Sequence, residues 1–558
     1  MLRTAIGRGL MFGAGGVHLA AVGVLLMLHN RWIVIDTLSL GQATLVLLGL
    51  GAGLIAVPAR VAVGIGDRLL AGAVAGLAAG VPMAVLVLLT AWLHPQSIFI
   101  ALSPALMTML TAGLGLWKGS VLLLGGGLLA GVVGAALRES PTALRAPILV
   151  GACAVVVAGV FQELIQLMLQ YEGVIGAVRD TLYTWEGLTP HGAVIIFVAA
   201  AIIREAWAMV GRRRPIPLDD RQLRRQRMLR AGIALLVLAL LPLLAGAYIG
   251  QVLMLVGLYI LMGMGLNLEV GLAGLLDLGF VAFFAVGAYT TALLTADSPH
   301  ALMHLSFWLA MPVSVLLAVA VGVVFGLPVL GVRGDYLAVA TMGLGEIVRV
   351  LVMSDFAAPL LGGAQGVLQI PKPRLGDVVL GSPVQLFYLT LIASAVAAFV
   401  AWRLENSRLG RAWTALRDDE DVAQALGINL VRSKLLAYGL GAAFAGLAGS
   451  IFAVMLTSVY PSSFQLLISI NVLALIIVGG MGSLPGVVLG SIALIGLPEL
   501  LREFGEYRYL FYGAALIVMM RWRPEGLWPS EVRRRELHAG EATAELDEGA
   551  DLLPAEPR

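Results

Sequence analysis

The chain has 558 residues, of which 59% are hydrophobic and only 13% are charged. An average soluble domain carries about 25% charged residues, so this composition excludes a soluble globular protein. The 68 glycines follow no G-X-Y period, which excludes a collagen-like chain. The single cysteine, Cys153, excludes a disulfide framework and a multi-cysteine metal site. The remaining class is an all-α, polytopic integral membrane protein.

Apolar runs of about 20 residues, the length that crosses ~30 Å of hydrocarbon, predict about 16 transmembrane helices. Six of these runs precede the basic segment 211–230: 10–29, 38–58, 69–93, 118–137, 146–170 and 191–210. We interpret the first run as a retained span, because no small-residue cleavage site follows it. Ten runs come after the basic segment: 231–248, 250–268, 271–295, 306–330, 336–353, 384–402, 433–456, 466–480, 484–501 and 507–520.

Arginine and lysine in short loops predict the orientation, because such loops stay in the cytoplasm. Three basic segments are therefore expected to be cytoplasmic: 211–230, 402–434 and the chain from Arg521 onward. This places the N- and C-termini in the cytoplasm. The apolar stretch 98–117, which Pro104 interrupts, is then an external interfacial or re-entrant segment. The acidic residues 531–558 lack apolar periodicity and predict a disordered tail.

The longest charged stretch between two spans is SRLGRAWTALRDDEDVAQALGINLVRSK, residues 407–434. Its acidic cluster, 418–421, predicts a helix N-terminus, where negative charge complements the helix dipole. Gly427 is typical of the position just after a helix end. The apolar residues of this segment have the spacing of one helical face: Val422, Ala423 and Leu426. We expect a short amphipathic helix at the cytoplasmic surface, which is either an ordinary loop helix or a docking element for a cytosolic partner.

The pattern Asp421-Val422-Ala423-x-x-x-Gly427 resembles the E-A-A-x-x-x-G loop of ABC-importer permeases. Asp and Val stand where that pattern has Glu and Ala. In that family the loop forms the coupling helix that docks into the ATPase subunit. The resemblance implies ATPase-coupling roles for five residues: Asp418, Glu420, Asp421, Ala423 and Gly427.

Further blocks, which occur in order over about half the chain, resemble the LivM-type permeases of high-affinity branched-chain amino acid importers. These blocks are GLNLEVGLAGLLDLGFVAFFAVGAYTTALL (265–294), VRGDYLAVATMGLGEIVRVL (332–351), GGAQGVLQIPKP (362–373), GRAWTALRDDEDVAQALGIN (410–429), SKLLAYGLGAAFAGLAGSIFA (433–453), VGGMGS (478–483) and MRWRPEGL (520–527). The resemblance implies a permease subunit in the bacterial inner membrane. It further implies a translocation pathway for Leu, Ile and Val, or for related small amino acids or amides.

The implied partners are a second, LivH-like permease, two ABC ATPase subunits and a periplasmic substrate-binding protein, besides the lipid bilayer. On this interpretation the chain has an N-terminal multi-span extension, a basic cytoplasmic linker, a permease domain with a coupling loop, and the acidic tail. Their predicted bounds are 1–210, 211–230, 231–530 with the loop at 403–432, and 531–558.

Ionisable residues inside spans are costly and are candidates for functional sites or ion pairs. Glu346 and Arg349 are three residues apart, which predicts a structural salt bridge on one helix. Glu269 and Asp277 flank a glycine-rich run. If the helix breaks there, free backbone groups suit the carboxylate and ammonium of an amino acid. The alternative is that the two acids are solvated near a cytoplasmic entrance or cap a half-helix. The candidate pathway residues are Asn267, Gly271, Gly274 and Asp277.

The spacing of the glycines and apolar residues in this run is repeated near the C-terminus. The pattern Val270-Gly271…Gly274…Leu276 matches Val478-Gly479…Gly482…Leu484. Transporters often place substrate at paired, glycine-interrupted helices. Glycine is also common in membrane helices, so the repeat by itself leaves both explanations open.

The sequence contains no G-x-x-x-x-G-K-[ST], H-E-x-x-H or G-x-S-x-G motif. It therefore predicts no ATP hydrolysis by this chain, no catalytic residues, no metal site and no cofactor. The net charge of +2 gives no indication of a nucleic-acid partner. Two transport hypotheses remain: an ABC-importer permease that depends on partner subunits, and an autonomous proton-coupled secondary transporter. The second would use Glu269, Asp277 or Glu346.

Overall fold

The computed structural model describes residues 1–57, 64–93, 99, 101–169, 174–211, 220–329, 331–332, 334–505, 507–523 and 525–530. Its chain divides into two compact units, Met1–Arg227 and Met228–Arg558. Within the described residues, ten helices are long and apolar enough to cross a membrane. The chain is thus an all-α polytopic membrane protein, as predicted. Residues 212–219 of the predicted linker 211–230 and the whole predicted tail 531–558 lie outside the described residues.

The first unit consists of helices joined by short connections. Its described helices are α1 (Leu2–Ala21), α2 (Val24–His29), α3 (Leu40–Leu54), α4 (Ile65–Leu93), α5 (Pro104–Thr111), α6 (Leu116–Glu139), α7 (Thr142–Val160), α8 (Gln162–Met168), α9 (Val174–Leu182) and α10 (Pro190–Gly211). The strands β1 (Trp32–Val34) and β2 (Leu38–Ser39) form an antiparallel pair. Helices occupy all six predicted runs, although Gly23, with a φ of 89°, separates α1 from α2.

The apolar stretch 98–117 does not form a spanning helix. Its described part contains α5, whose eight residues extend over about 12 Å, and the first two residues of α6. Ser103 caps the helix by accepting a hydrogen bond from the Leu106 amide at 3.4 Å. The short helix agrees with the prediction of an interfacial or re-entrant segment, because ~30 Å would be needed to cross the hydrocarbon.

The second unit contains the remaining helices. They are α11 (Asp220–Leu266), α12 (Val281–Thr295), α13 (Phe307–Val329), α14 (Asp335–Met353), α15 (Ala358–Leu361), α16 (Pro383–Glu405), α17 (Arg408–Asp418), α18 (Glu420–Ala425), α19 (Leu430–Leu456), α20 (Leu466–Gly479), α21 (Leu484–Ser491), α22 (Leu497–Leu500) and α23 (Tyr507–Trp522). A small antiparallel hairpin pairs β3 (Arg374–Leu375) with β4 (Val378–Val379). Inside α11, Gly246 has a φ of 83° and separates the two spans predicted there.

Helix α19 lies at the centre of the second unit, where small residues let neighbouring backbones approach closely. Gly446 packs against Gly287 of α12, and Gly449 packs against the Phe284 carbonyl of the same helix. On its other side, α19 contacts α13 through Ala442, which faces Gly322. Membrane helices associate through such close packing because lipid provides no hydrophobic drive between them. The centre of this unit is therefore tightly packed.

Candidate functional site

The glycine-rich run near Asp277 is a break between helices, so the prediction of one span over 271–295 is wrong. Helix α11 continues into a π-helical turn, Asn267–Leu272, and α12 begins only at Val281. Gly274 adopts a φ of 72°, a left-handed conformation that favours glycine. The backbone between the two helices is therefore irregular, with turns at both ends.

The matching spacing near the C-terminus is a second break of the same kind. Helix α20 ends at Gly479 and α21 begins at Leu484. Gly482 has a φ of 74°, nearly the same value as its counterpart in the first break. The repeated spacing thus corresponds to a repeated backbone conformation, because both segments need left-handed φ where the chain leaves a helix.

The two breaks contact each other. The Asn267 side-chain oxygen accepts a hydrogen bond of 2.9 Å from the Gly482 amide. A Cβ on Gly271 would lie 2.7 Å from that same amide nitrogen, so only glycine fits. The second break is also held from the C-terminal segment, where the Trp528 amide donates to the Gly479 carbonyl at 2.8 Å.

A basic side chain from the surface helices reaches this contact. Arg417, in the last turn of α17, donates from Nη1 to the Gly271 carbonyl at 3.0 Å. Its side chain also covers the left-handed turn, since a Cβ on Gly274 would lie 2.7 Å from the Arg417 Cγ atom. The helix break is therefore in direct contact with the segment that was predicted to couple to an ATPase.

The irregular segment 273–280 is supported by side chains of other helices. The Leu278 amide donates to the Thr341 hydroxyl of α14, and the Val281 amide donates to the Ser469 hydroxyl of α20, both at 3.0 Å. Irregular backbone is tolerated at membrane depth only where neighbouring protein groups satisfy it. These hydrogen bonds connect the break to α14 and α20 as well as to α17.

Two acidic side chains are enclosed beside the first break. Glu269 and Asp277 are 0% and 1% exposed, which excludes the alternative that they are solvated at an entrance. One Asp277 oxygen accepts from the Gly279 amide at 2.7 Å. The other Asp277 oxygen and both Glu269 oxygens have no hydrogen-bond partner among the described residues, and neither has the nearby Tyr438 hydroxyl. The Glu269 side chain lies against Gly441 of α19, where an added Cβ would overlap the carboxyl group.

The charged stretch 407–434 forms two short helices before α19. Asp419 caps α18 by accepting hydrogen bonds of 2.9 Å from the Asp421 and Val422 amides. Gly427, with a φ of 86°, follows the end of α18, as predicted. Asp418, however, is the last residue of α17, so its assignment to the N-terminus of the amphipathic helix is wrong.

The five candidate coupling residues do not share one face. Glu420 forms an ion pair of 2.7 Å with Lys434 of α19, whose side chain is only 5% exposed. Ala423 is buried against the protein, whereas Asp418, Asp421 and Gly427 are exposed. Glu420 and Ala423 therefore fix α18 onto the membrane unit, and the other three are accessible.

The apolar face predicted for this helix is also wrong. Ala423 is buried, but Val422 and Leu426 are 55% and 76% exposed. The two are spaced i to i+4, which places them side by side on the outer surface of the segment. That spacing, on the side away from Ala423, is the signal that could have identified them as contact residues.

Comparison with known proteins then identifies the family. A family model described as "Branched-chain amino acid transport system / permease component" matches residues 248–520. The LivM permease of Escherichia coli (strain K12), a high-affinity branched-chain amino acid transport system protein, is 36% identical over 422 residues, covering 70% of this chain and 96% of its own. The chain belongs to this family of branched-chain amino acid transport permeases.

Other relatives place the match in the same family. The LivM permease of Salmonella typhimurium is 40% identical over 311 residues, or 52% of this chain and 72% of its own. The LivH permease of Escherichia coli (strain K12) is 23% identical over 288 residues, which cover 48% of this chain and 90% of the relative. No solved structure matches the chain. The permease is thus a multi-pass membrane protein whose function is transport.

One charged pair of the permease lies outside the breaks. Arg349 Nε donates to the two carboxylate oxygens of Glu346 at 3.0 and 2.9 Å, so the predicted salt bridge on α14 is confirmed. Both side chains are partly exposed, at 29% and 49%. The described residues contain no group of three or more His, Cys, Asp or Glu side chains that could hold a metal ion.

Proposed function

We propose that this permease provides the translocation pathway of an ABC importer for Leu, Ile and Val, or for related small amino acids or amides. It would work in the bacterial inner membrane with a LivH-like permease, two ATPase subunits that hydrolyse ATP, and a periplasmic binding protein. The observation that carries the proposal is the hydrogen bond from Arg417 to the Gly271 carbonyl. Through it, the candidate ATPase-docking segment touches a helix break inside the membrane unit.

The domain organisation of the proposal follows the basic segments. Residues 231–530 would form the permease domain with its coupling loop at 403–432, and 1–210 a multi-span extension joined by the cytoplasmic linker 211–230. Both termini would be cytoplasmic, because arginine-rich segments stay on that side.

Two contacts would carry motion from the ATPase into the membrane. The Glu420–Lys434 ion pair connects α18 to α19, and Arg417 connects α17 to the first break. Breaks bounded by glycine can change φ and ψ at little steric cost. The candidate pathway residues Asn267, Gly271, Gly274 and Asp277 would then act as the moving part of the pathway.

Docking of the ATPase would use the exposed face of α18 and the turn after it. The residues of this docking face are Asp421, Val422, Leu426 and Gly427. An exposed apolar pair beside an acidic residue suits the groove of a partner protein, because burial of a leucine side chain contributes ~2 kcal/mol. Leu426 is 76% exposed in this chain, so its side chain is available for such a contact.

The Leu426→Asp substitution tests the docking face. We expect recovery of ATPase subunits with tagged permease to fall by about tenfold or more, since a carboxylate would be buried in an apolar contact. The measurement is a pull-down in mild detergent from the native host. Leu426→Met is the matched control and should retain the ATPase, because it conserves volume and polarity. Equal recovery with Leu426→Asp and wild type would refute the docking face.

The buried pair Glu269 and Asp277 favours the second candidate, a proton-coupled transporter. The Glu269→Gln substitution separates the two. An importer driven by ATPase subunits should keep leucine uptake within about twofold, because the amide has the same shape and can donate to Asp277. A proton-coupled carrier should lose transport with its titratable group. Uptake driven by a proton gradient in vesicles containing only wild-type chain would favour that carrier.

A further inference from the structure

A narrow cleft lies between α12 and α14, directly after the first break. Its walls include Val281, Ala285, Tyr289, Val348, Arg349 and Phe464. These walls are apolar except for one guanidinium and one phenol. Tyr289 is buried, with an exposure of 5%. Its hydroxyl has no hydrogen-bond partner among the described residues. The cleft therefore has apolar walls and two hydrogen-bond donors. The Tyr289 hydroxyl has no partner among the described residues, and the Arg349 guanidinium can exchange its present partner for another.

Arg349 lines this cleft, and its ion-pair partner Glu346 is exposed beside it. Glu346 lies seven residues before Met353, the end of α14, which is about 10 Å along the helix. Only 28% of the residues Tyr336–Met353 of this helix are buried. An ion pair facing hydrocarbon at this depth would be costly. This face of α14 therefore borders either water or another protein surface.

We propose that Glu346, Arg349 and Tyr289 form a binding site for the zwitterionic head of an α-amino acid on the translocation pathway. Arg349 binds the α-carboxylate, Glu346 binds the α-ammonium, and the Tyr289 hydroxyl donates to the carboxylate. The apolar walls formed by α12 and Phe464 receive the aliphatic side chain. The site rests on the proposed import function and adds to it the means of substrate recognition.

The charge arithmetic favours this exchange. Without substrate, Arg349 and Glu346 compensate each other through hydrogen bonds near 3 Å. A zwitterion offers each of them an opposite charge, so binding replaces one ion pair with two and leaves no net charge unpaired. A guanidinium also matches a carboxylate in geometry, with two parallel N–H donors. An apolar solute without both charges would break the ion pair and gain nothing in return.

The cleft is closed in this structure, and the break explains how it can open. Its cavity volume of about 10 Å³ holds one water molecule, much less than a leucine side chain. Val281, in the cleft wall, is the first residue of α12 and follows the irregular segment 273–280 directly. A change of backbone angles at Gly274 would therefore shift α12 relative to α14 and widen the cleft.

Cysteine labelling tests whether this cleft is a substrate pathway. In a Cys153→Ser background, Val348→Cys lies in the cleft, whereas Ile347→Cys is 59% exposed and lies about 100° further around α14, outside the cleft lining. In vesicles carrying the complete importer, we expect a membrane-impermeant thiol reagent to label Val348→Cys and leucine-loaded binding protein with ATP to reduce that labelling by about fivefold or more. Labelling of Ile347→Cys, outside the cleft, should not change with leucine. Labelling of Val348→Cys that leucine does not change, or no labelling at all, would overturn the proposal.

Substitutions of the head-group residues supply the second readout. We expect Arg349→Gln and Glu346→Gln each to reduce ATP-driven leucine uptake by about tenfold or more, and Tyr289→Phe to raise the KM for transport, with subunit recovery unchanged. Arg374→Gln, an exposed arginine outside the spans, is the control. Uptake retained by Arg349→Gln would overturn the site, and loss of subunit recovery would assign the pair to an interface instead. If the wild-type importer takes up no leucine, the failure is that of the proposed function.

Discussion

Replacing Gly449 with alanine is expected to prevent the second unit from reaching its folded state. Gly449 lies where α19 crosses α12, and a Cβ there would stand 2.8 Å from the Ala288 amide nitrogen and would overlap the Phe284 carbonyl. Both obstacles are helix backbone, which cannot rotate away as a side chain can. An added methyl group in a packed core ordinarily reduces the free energy of unfolding by ~1–3 kcal/mol. Because the Cβ would meet backbone atoms, we expect a loss at or above the upper end of that range. The measurement is the yield of monodisperse protein in detergent and its melting temperature.

Gly439→Ala is the matched control, on the same helix and with the same added methyl group. A Cβ there would meet only side-chain atoms, Val323 at 3.5 Å and Val319 at 3.6 Å, which are ordinary van der Waals distances. We expect wild-type yield and an unchanged or slightly raised melting temperature, because alanine is favoured over glycine in a helix by ~1 kcal/mol. If both variants behave alike, the close α12–α19 crossing is not what holds the unit together.

The Arg417→Ala substitution is expected to uncouple transport from ATP hydrolysis. The guanidinium donates to the Gly271 carbonyl and covers the left-handed turn at Gly274. A hydrogen bond from a charged group contributes ~1.5–3 kcal/mol, so its loss corresponds to about a tenfold to hundredfold change in the equilibrium it controls. We expect leucine uptake per ATP hydrolysed to fall by about tenfold or more. The measurement is parallel uptake and hydrolysis in vesicles containing the complete importer.

Arg411→Ala on the same helix is the control, because the Arg411 side chain is exposed. It should leave uptake, hydrolysis and ATPase recovery at wild-type values. Arg417→Lys should be intermediate, since an ammonium can still reach a carbonyl but lacks the planar fork of a guanidinium. Coupled uptake at the wild-type ratio in Arg417→Ala would show that the helix break does not respond to α17.

Hydrophobicity and charge along the chain were sufficient to identify the protein class and most of the helices. A run of apolar residues long enough to cross the membrane is a local property, and helices occupy most of the predicted runs, except over 273–280 in the run 271–295. The same holds for Gly427, whose position after α18 follows from the need for a left-handed residue at a helix end. The salt bridge between Glu346 and Arg349 was predictable because i to i+3 pairs meet on one helix face.

The two helix breaks were only partly predictable. The repeated glycine spacing pointed to both positions. Hydrophobicity alone, however, does not distinguish a helix from an irregular apolar segment, so Gly271 and the residues after it were included in a predicted span. The irregular backbone of the first break is stable because Thr341, Ser469 and Arg417 satisfy some of its polar groups. Those partners come from three different helices, and no pattern within the segment itself specifies them.

What the sequence by itself determined is therefore the set of elements: a polytopic helical permease with glycine-bounded interruptions and a charged loop before α19. The tertiary structure decided which side of each element is used. It buries Ala423 and exposes Leu426 on α18, encloses Glu269 and Asp277, and brings Arg417 to the first break. Periodicity specifies that a helix has an apolar side, whereas packing against neighbours far along the chain determines which side is covered and which remains available to substrate or partner.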